Sequence, residues 1–161
     1  MRFVDINVLL YRVSMVEAEG AKHRIASELL EATDLRLSVQ VLQEFYVQAT
    51  RSSRDGALSH DEAAGLVRSW NRFQPISITP EILDAALIAR ERWGISYWDA
   101  AIIEAARSVG CETVLSEDLN DGQDYGGVRV VNPFRVKQNP ERSSCQRDDI
   151  NFAGRTPVRT S

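Results

Sequence analysis

Short β-branched runs that alternate with segments of helical period constrain this chain more than any other feature. RFVD (2–5), LRLSV (35–39), PISI (75–78), TVLS (113–116) and VRVV (128–131) each read as a strand. Between them, apolar residues recur at three and four positions, the mark of a helix that buries one face. Leu9, Leu10 and Val13 follow the first strand in this way, and Ile25, Leu29 and Ala32 share a stripe within 20–32. Ser38 is placed to cap a helix running to about Arg51, and Ser59 with Glu62 has the spacing of a capping box for a helix ending near Phe73. Thr79 and Pro80 open a further helix that Gly94 closes, and a last one spans 97–109 before Gly110. Strands separated by helices are not joined as hairpins. The pattern therefore predicts an α/β domain, with a mostly parallel sheet of about five strands flanked by helices.

A chain of 161 residues, 43% of them apolar, has material for one domain with a sizeable core. Residues 1–136 carry all the periodic segments, while 137–161 are polar and aperiodic and read as a flexible tail. Charge divides in a similar way. Residues 1–134 hold 13 Lys and Arg against 20 Asp and Glu, whereas 135–161 hold 6 against 3. An acidic body argues against a protein that grips nucleic acid by charge alone, but suits an enzyme that meets phosphates through a bound cation. No apolar run approaches the roughly 20 residues of a membrane helix, and MRFVDINVLLY lacks the form of a secretory signal. Cys111 and Cys145 make neither a disulfide framework nor a zinc spacing, so the cytoplasm is the expected location.

Four acids stand where a fold of this kind puts function. Asp5 ends the first strand, and Asp118 follows TVLS in LSEDLNDG. Ligands of open parallel sheets bind beyond the carboxyl ends of strands, which is where both fall. Glu44 interrupts the apolar helix VQVLQEFYV. Asp99, in SYWDAAIIEAA, shares a helical stripe with Ile102, Ile103 and Ala106, so it is expected to face inward. Singly, each has an ordinary reading: a cap for Asp5, a helix-start residue for Asp99, a solvent edge for Glu44, a turn for Asp118. Together they suggest carboxylates sharing a cation. Two like charges about 4 Å apart repel by roughly 4 kcal/mol at an effective dielectric near 20, a cost that a divalent ion removes. An all-oxygen set favours Mg²⁺, with Mn²⁺ able to substitute, over zinc. His23 and His60 read as surface or boundary residues. Arg51 and Arg54, just past the Glu44 helix, are candidate contacts for the phosphates of a substrate.

The same segments resemble the PIN-domain nucleases, and more narrowly the VapC-type ribonuclease toxins of toxin–antitoxin pairs. FVDINVLLY is similar to the family's opening strand, with Asp5 as first metal ligand and Asn7 beside it. VLQEFY matches the surroundings of the second acid, Glu44, and SYWDAAIIEAA those of the third, Asp99. LSEDLNDGQDYGGVRVVNPF is similar to the closing segment, with Asp118 as fourth acid and Ser116 two positions earlier; Glu117 and Asp121 stand close enough to take its place.

The resemblance implies a single PIN-like domain and hydrolysis of RNA phosphodiester bonds, leaving a 5′-phosphate and a 3′-hydroxyl. Asp5, Glu44, Asp99 and Asp118 would be both metal ligands and catalytic acids, oriented by Asn7 and Ser116. It also implies a homodimer and a cognate VapB-type antitoxin, for which the tail and the groove beside Tyr97 and Trp98 are candidate contacts. Two other readings share the fold: an RNA-processing nuclease with no antitoxin, and a catalytically silent binding module. A dehalogenase-type phosphatase would also place an Asp after a strand. It needs a second acid two residues on and a later catalytic lysine, and here Asn7 fills the first place and Lys22 and Lys137 are the only lysines.

Overall fold

The computed structural model describes residues 1–135, so the tail predicted at 137–161, with Cys145, lies outside the described residues. Four strands form the sheet: β1 (Arg2–Val4), β2 (Leu35–Arg36), β3 (Thr113–Leu115) and β4 (Arg129–Val131). Their order is β2-β1-β3-β4, and every neighbouring pair is parallel. Parallel neighbours need crossovers, and the helices supply them. These are α1 (Ile6–Arg12), α2 (Gly20–Leu30), α3 (Val39–Ala49), α4 (His60–Ser69), α5 (Pro80–Trp93) and α6 (Tyr97–Ser108). From β1 the chain moves to one side to make β2, then returns past β1 to make β3. The crevice between β1 and β3 is thus the point where strand order reverses.

Local chemistry sets the boundaries. Ser38 leaves the sheet to cap α3, accepting from Val41 N, and this shortens the strand expected at 35–39 to two residues. The strand expected at 75–78 is reduced to a single parallel bridge, Ser38 to Ile76, with Ile76 N donating to Leu37 O and Val39 N to Ile76 O. Gln74, the next residue that could face this ladder, is in the left-handed region at φ 53° and gives its N–H to Asn71 O instead. Ser59 and Glu62 close their capping box, Pro80 opens α5, and Gly94 ends it at φ 64°, where a side chain would be strained. The helix expected to reach Phe73 stops at Ser69 and tightens into a 3₁₀ turn over Trp70–Phe73.

The core joins the sheet to its helices through Phe3, Leu9, Leu35, Phe45, Ile103, Val114 and Val130, all fully buried. Phe45 of α3 meets Trp70 edge-on at 4.7 Å, which ties α3 to the turn after α4. Each such side chain contributes about 1.5–3 kcal/mol by leaving water, so the helices that carry functional residues are held firmly. α1 packs on α2 and α3, and α5 on α6. Among the described residues, no helix is long and apolar enough to cross a membrane.

Candidate active site

Asp5 follows β1 directly and is the N-cap of α1; its Oδ1 accepts from Ile6 N at 2.6 Å. The cap expected as its ordinary role is therefore real, yet it uses one oxygen only. Oδ2 accepts from Ser116 Oγ at 2.6 Å and from Asn7 Nδ2 at 3.1 Å. Ser116 follows β3, the strand paired with β1, so adjacent parallel strands end in an acid and the hydroxyl that bonds it. Asp5 is only 2% exposed. Burial pushes its carboxyl up to about 7, against the pull of the Ser116 and Ile6 hydrogen bonds, and the charges of Asp118 and Asp99 push the same way.

Asn7 is 7% exposed, and its Nδ2 also reaches Ser116 Oγ at 3.4 Å. Its Oδ1 is buried with no hydrogen-bond partner, the one such side-chain atom among the described residues. A buried acceptor left open costs about 1–3 kcal/mol unless something fills the place. Asn7 lines a hollow of about 230 Å³ with Tyr11, Arg54 and Asp118. Asp118 is held near by the turn after β3, where its N–H and that of Leu119 donate to Ser116 Oγ.

The neighbouring acids are occupied elsewhere. Glu117 accepts from Tyr11 OH and from Lys22 Nζ, each at 2.5 Å. Burial raises its carboxyl, but these two partners outweigh burial and hold it below the usual range. Asp121 accepts from Asn132 N at 2.8 Å and Arg135 Nη1 at 3.1 Å, tying the loop to the segment after β4. Of the three candidates for the fourth acid, Asp118 is the one that opens onto the hollow with Asn7.

Asp99 lies in the first turn of α6, where its N–H donates to Ser96 Oγ and its Oδ2 accepts from the same hydroxyl at 2.7 Å. It is half-buried, while Ile102, Ile103 and Ala106 on its stripe go into the core. Its charge acts on Asp5 and also raises Tyr125, whose main push is burial. Glu44 stands on another wall. Its Oε1 accepts from Gln40 Nε2 at 2.8 Å, and it lines a separate hollow with Arg51 and Trp98. Arg51 is exposed there, whereas Arg54 is half-buried, with Nη2 donating to Leu10 O.

Hydrogen bonds and shared walls thus join Asp5, Asn7, Ser116 and Asp118; charge joins Asp99 to them, and Glu44 is set apart. Neither histidine contributes: His23 Nδ1 meets Tyr11 O, and His60 Nδ1 meets Tyr46 OH. Gln40 was not singled out by sequence, nor was the pairing of Glu117 with Tyr11 and Lys22. Gln40 had a signal in its i, i+4 spacing to Glu44, but Lys22 and Glu117 are 95 residues apart.

The donors suit a hard cation. All are oxygens, Asp5 has lone-pair capacity to spare, and the open Asn7 Oδ1 offers a further acceptor. Among the described residues, no three Asp, Glu, His or Cys side chains stand close enough to hold one ion by themselves. Mg²⁺ tolerates this, because it commonly binds through one or two carboxylates and keeps several waters.

Fold and site together define an open parallel α/β domain with an acid-lined crevice at its topological switch point. The chain belongs to the PIN-domain family, whose model matches residues 2–120. Among solved structures it is similar to a toxin–antitoxin complex from Klebsiella pneumoniae, at 19% identity and a TM-score of 0.62, over 84% of this chain and all of that one. It is similar to VapC20 of Mycobacterium tuberculosis, a sarcin–ricin loop cleaving toxin, at 21% identity and a TM-score of 0.56, over 73% of this chain and 92% of that one. FitAcB from Neisseria gonorrhoeae aligns at 15% identity and a TM-score of 0.56, over 84% of this chain and all of that one. At such identities the likeness is one of fold. Among curated proteins, none matches this sequence.

Proposed function

We propose that this protein is a divalent-metal-dependent endoribonuclease, the toxin of a type II toxin–antitoxin pair. The observation that carries the reading is the Asp5 carboxyl: buried, raised to about 7, and faced by the charges of Asp118 and Asp99. Capping alone does not call for an acid so buried and so faced by like charges, which costs stability once ionised, and a cation makes sense of it. Asp5 would hold Mg²⁺ or Mn²⁺, with Asp99, Asp118 and, from the neighbouring hollow, Glu44 reaching the ion directly or through its waters. Held there, a divalent ion would supply Lewis acidity, lowering the pKa of water and offsetting charge on phosphoryl oxygens.

The chain's own residues do the rest. Ser116 and Asn7 fix Asp5 Oδ2 by donating to it, which holds the carboxylate in one orientation. Ser96 does the same for Asp99. Arg54, beside Asp118, and Arg51, beside Glu44, offer guanidinium groups to backbone phosphates on the two sides of the crevice. This offsets the repulsion between RNA and an acidic body.

The partners follow the same reading. A structure with this fold is a toxin–antitoxin complex, which supports a VapB-type antitoxin for this chain; a homodimer acting in the cytoplasm belongs to the same proposal. The test is cleavage of end-labelled structured RNA by antitoxin-free protein in Mg²⁺, Mn²⁺ or EDTA, beside Asp5→Asn and Asp99→Asn. Metal-dependent cutting lost in both variants is expected. Cutting that persists in EDTA overturns the reading. So does failure to cut RNA together with failure to bind Mn²⁺, which returns the chain to a silent binding module.

A further inference from the structure

α3 turns a polar stripe outward beside the crevice. Gln40, Gln43, Glu44 and Gln48 recur at the three- and four-residue spacings of one helix face with Val47 among them, Arg51 follows just past the helix end, and Trp98 of α6 stands opposite. They enclose a hollow of about 270 Å³, just below the roughly 300 Å³ at which small-molecule pockets begin, which is the order of one flat ring system with its sugar. Trp98 is 55% exposed although it adjoins Asp99 in sequence and Tyr97 braces its ring edge-on at 5.3 Å. A large aromatic fixed in water at the mouth of a site is a surface waiting for a face. Gln40 is 5% exposed and gives its Nε2 to Glu44, which leaves its Oε1 as an acceptor. Gln43 and Gln48 are exposed, each with an amide able to donate and accept.

We propose that this hollow is a nucleobase subsite, in which an unpaired base of the RNA next to the scissile phosphate stacks on Trp98 and is read by the amides of Gln43 and Gln40. The inference rests on the nuclease reading and adds to it a determinant of which nucleotide is accepted. Stacking on aromatic rings with hydrogen bonds to base edges is how single-stranded RNA is recognised. Arg51 closes the hollow where the sugar–phosphate chain would leave. A protein segment is the weaker match. The broader apolar lining that would anchor one lies in the adjoining groove between α3 and α4, formed by Val39, Leu42 and Val67, with Val47 at the border of the two.

The deciding experiment pairs Trp98→Ala and Trp98→Phe with single-stranded RNA substrates in which the bases flanking the cut are removed one at a time. Trp98→Ala should lower kcat/KM roughly 5- to 150-fold, the range of base–aromatic stacking, and Trp98→Phe should retain most of the activity. Removing one particular base should cost the wild-type protein a similar factor and cost Trp98→Ala nothing further. In parallel, nucleoside 5′-monophosphates in EDTA should quench tryptophan emission, while ribose 5-phosphate should not, and Trp98→Phe should abolish the response. Normal cleavage by Trp98→Ala, or losses that simply multiply, overturns the subsite and leaves the nuclease intact. Quenching with no cleavage of any RNA keeps the subsite and removes the nuclease. Quenching by an antitoxin peptide but by no nucleotide makes the hollow a protein-docking site and overturns the proposal.

Discussion

Ser116 Oγ donates to Asp5 Oδ2 at 2.6 Å, joining the ends of two parallel strands across 111 residues of sequence. The same hydroxyl accepts from Asp118 N and Leu119 N, so one side chain both orients the buried acid and shapes the turn that presents the next one. Ser116→Ala should therefore act on metal binding and on stability together. Loss of an orienting partner of this kind costs about 10- to 100-fold in metal affinity, and the acceptor left buried adds about 1–3 kcal/mol of instability. Calorimetric titration of Mn²⁺ and a urea melt of the same sample measure both. Unchanged affinity would show that Ser116 is a turn residue and nothing more.

The Asp5 carboxyl sets a pH dependence whose sign can be worked out. Its native value is raised from an unfolded value near 4 to about 7, so the native state holds this proton more tightly than the unfolded chain does. Below pH 4 both states are protonated and the shift has no effect. Between pH 4 and 7 the metal-free protein loses stability as pH rises, by at most about 4 kcal/mol, and above pH 7 the loss is complete. Asp5→Asn removes the titration. In EDTA it should melt above the wild type at pH 8 and close to it at pH 4. Mg²⁺ should then raise the melting temperature of the wild type alone. Parallel wild-type and variant melts across this range would contradict the burial argument.

Three acids near the end of β3 should separate cleanly. Asp118→Asn should abolish or sharply reduce cleavage, because that carboxylate opens onto the hollow with Asn7. Glu117→Gln should leave cleavage within a few-fold. Its pair with Lys22 is partly exposed, worth at most about 1 kcal/mol, and weakens as salt is added. Asp121→Asn should lower the melting temperature, since it frees Asn132 N and Arg135, with turnover of the folded fraction preserved. Cleavage lost in Glu117→Gln but kept in Asp118→Asn would exchange their roles.

Sequence pattern carried the parallel α/β architecture because strand and helix periods are local. The capping signals at Asp5, Ser38, Ser59 and Thr79 are local too, and each of these residues does cap a helix. What pattern could not carry is which face a neighbour covers. Val47 beside Glu44 looked like part of an apolar helix, yet it is exposed, and its neighbours on that stripe are polar. Asp99 shares a stripe with core residues but sits where that stripe emerges at the helix start, so it is half-buried. The fifth strand shrank to one bridge because Gln74 turns out of the ladder, an outcome that β-branched composition does not encode.

Asn7 offers the sharpest test of whether a cation belongs in the crevice. Its Nδ2 donates to Asp5 Oδ2 at 3.1 Å while its Oδ1 has no partner. Asn7→Asp keeps the shape but replaces the donor with an acceptor and adds a second negative charge against a buried carboxyl. Without metal the two acids repel, so the variant should melt below the wild type in EDTA, and more so as pH rises through 7 and Asp5 ionises. A cation between them reverses the sign. Mn²⁺ should then raise the melting temperature of Asn7→Asp more than that of the wild type, because it gains a charged ligand and loses a repulsion in the same step. Asn7→Ala separates this from packing: it removes both amide atoms, adds no charge, and should show the smaller response to Mn²⁺. If Mn²⁺ leaves Asn7→Asp as unstable as EDTA does, the open oxygen of Asn7 does not face an ion.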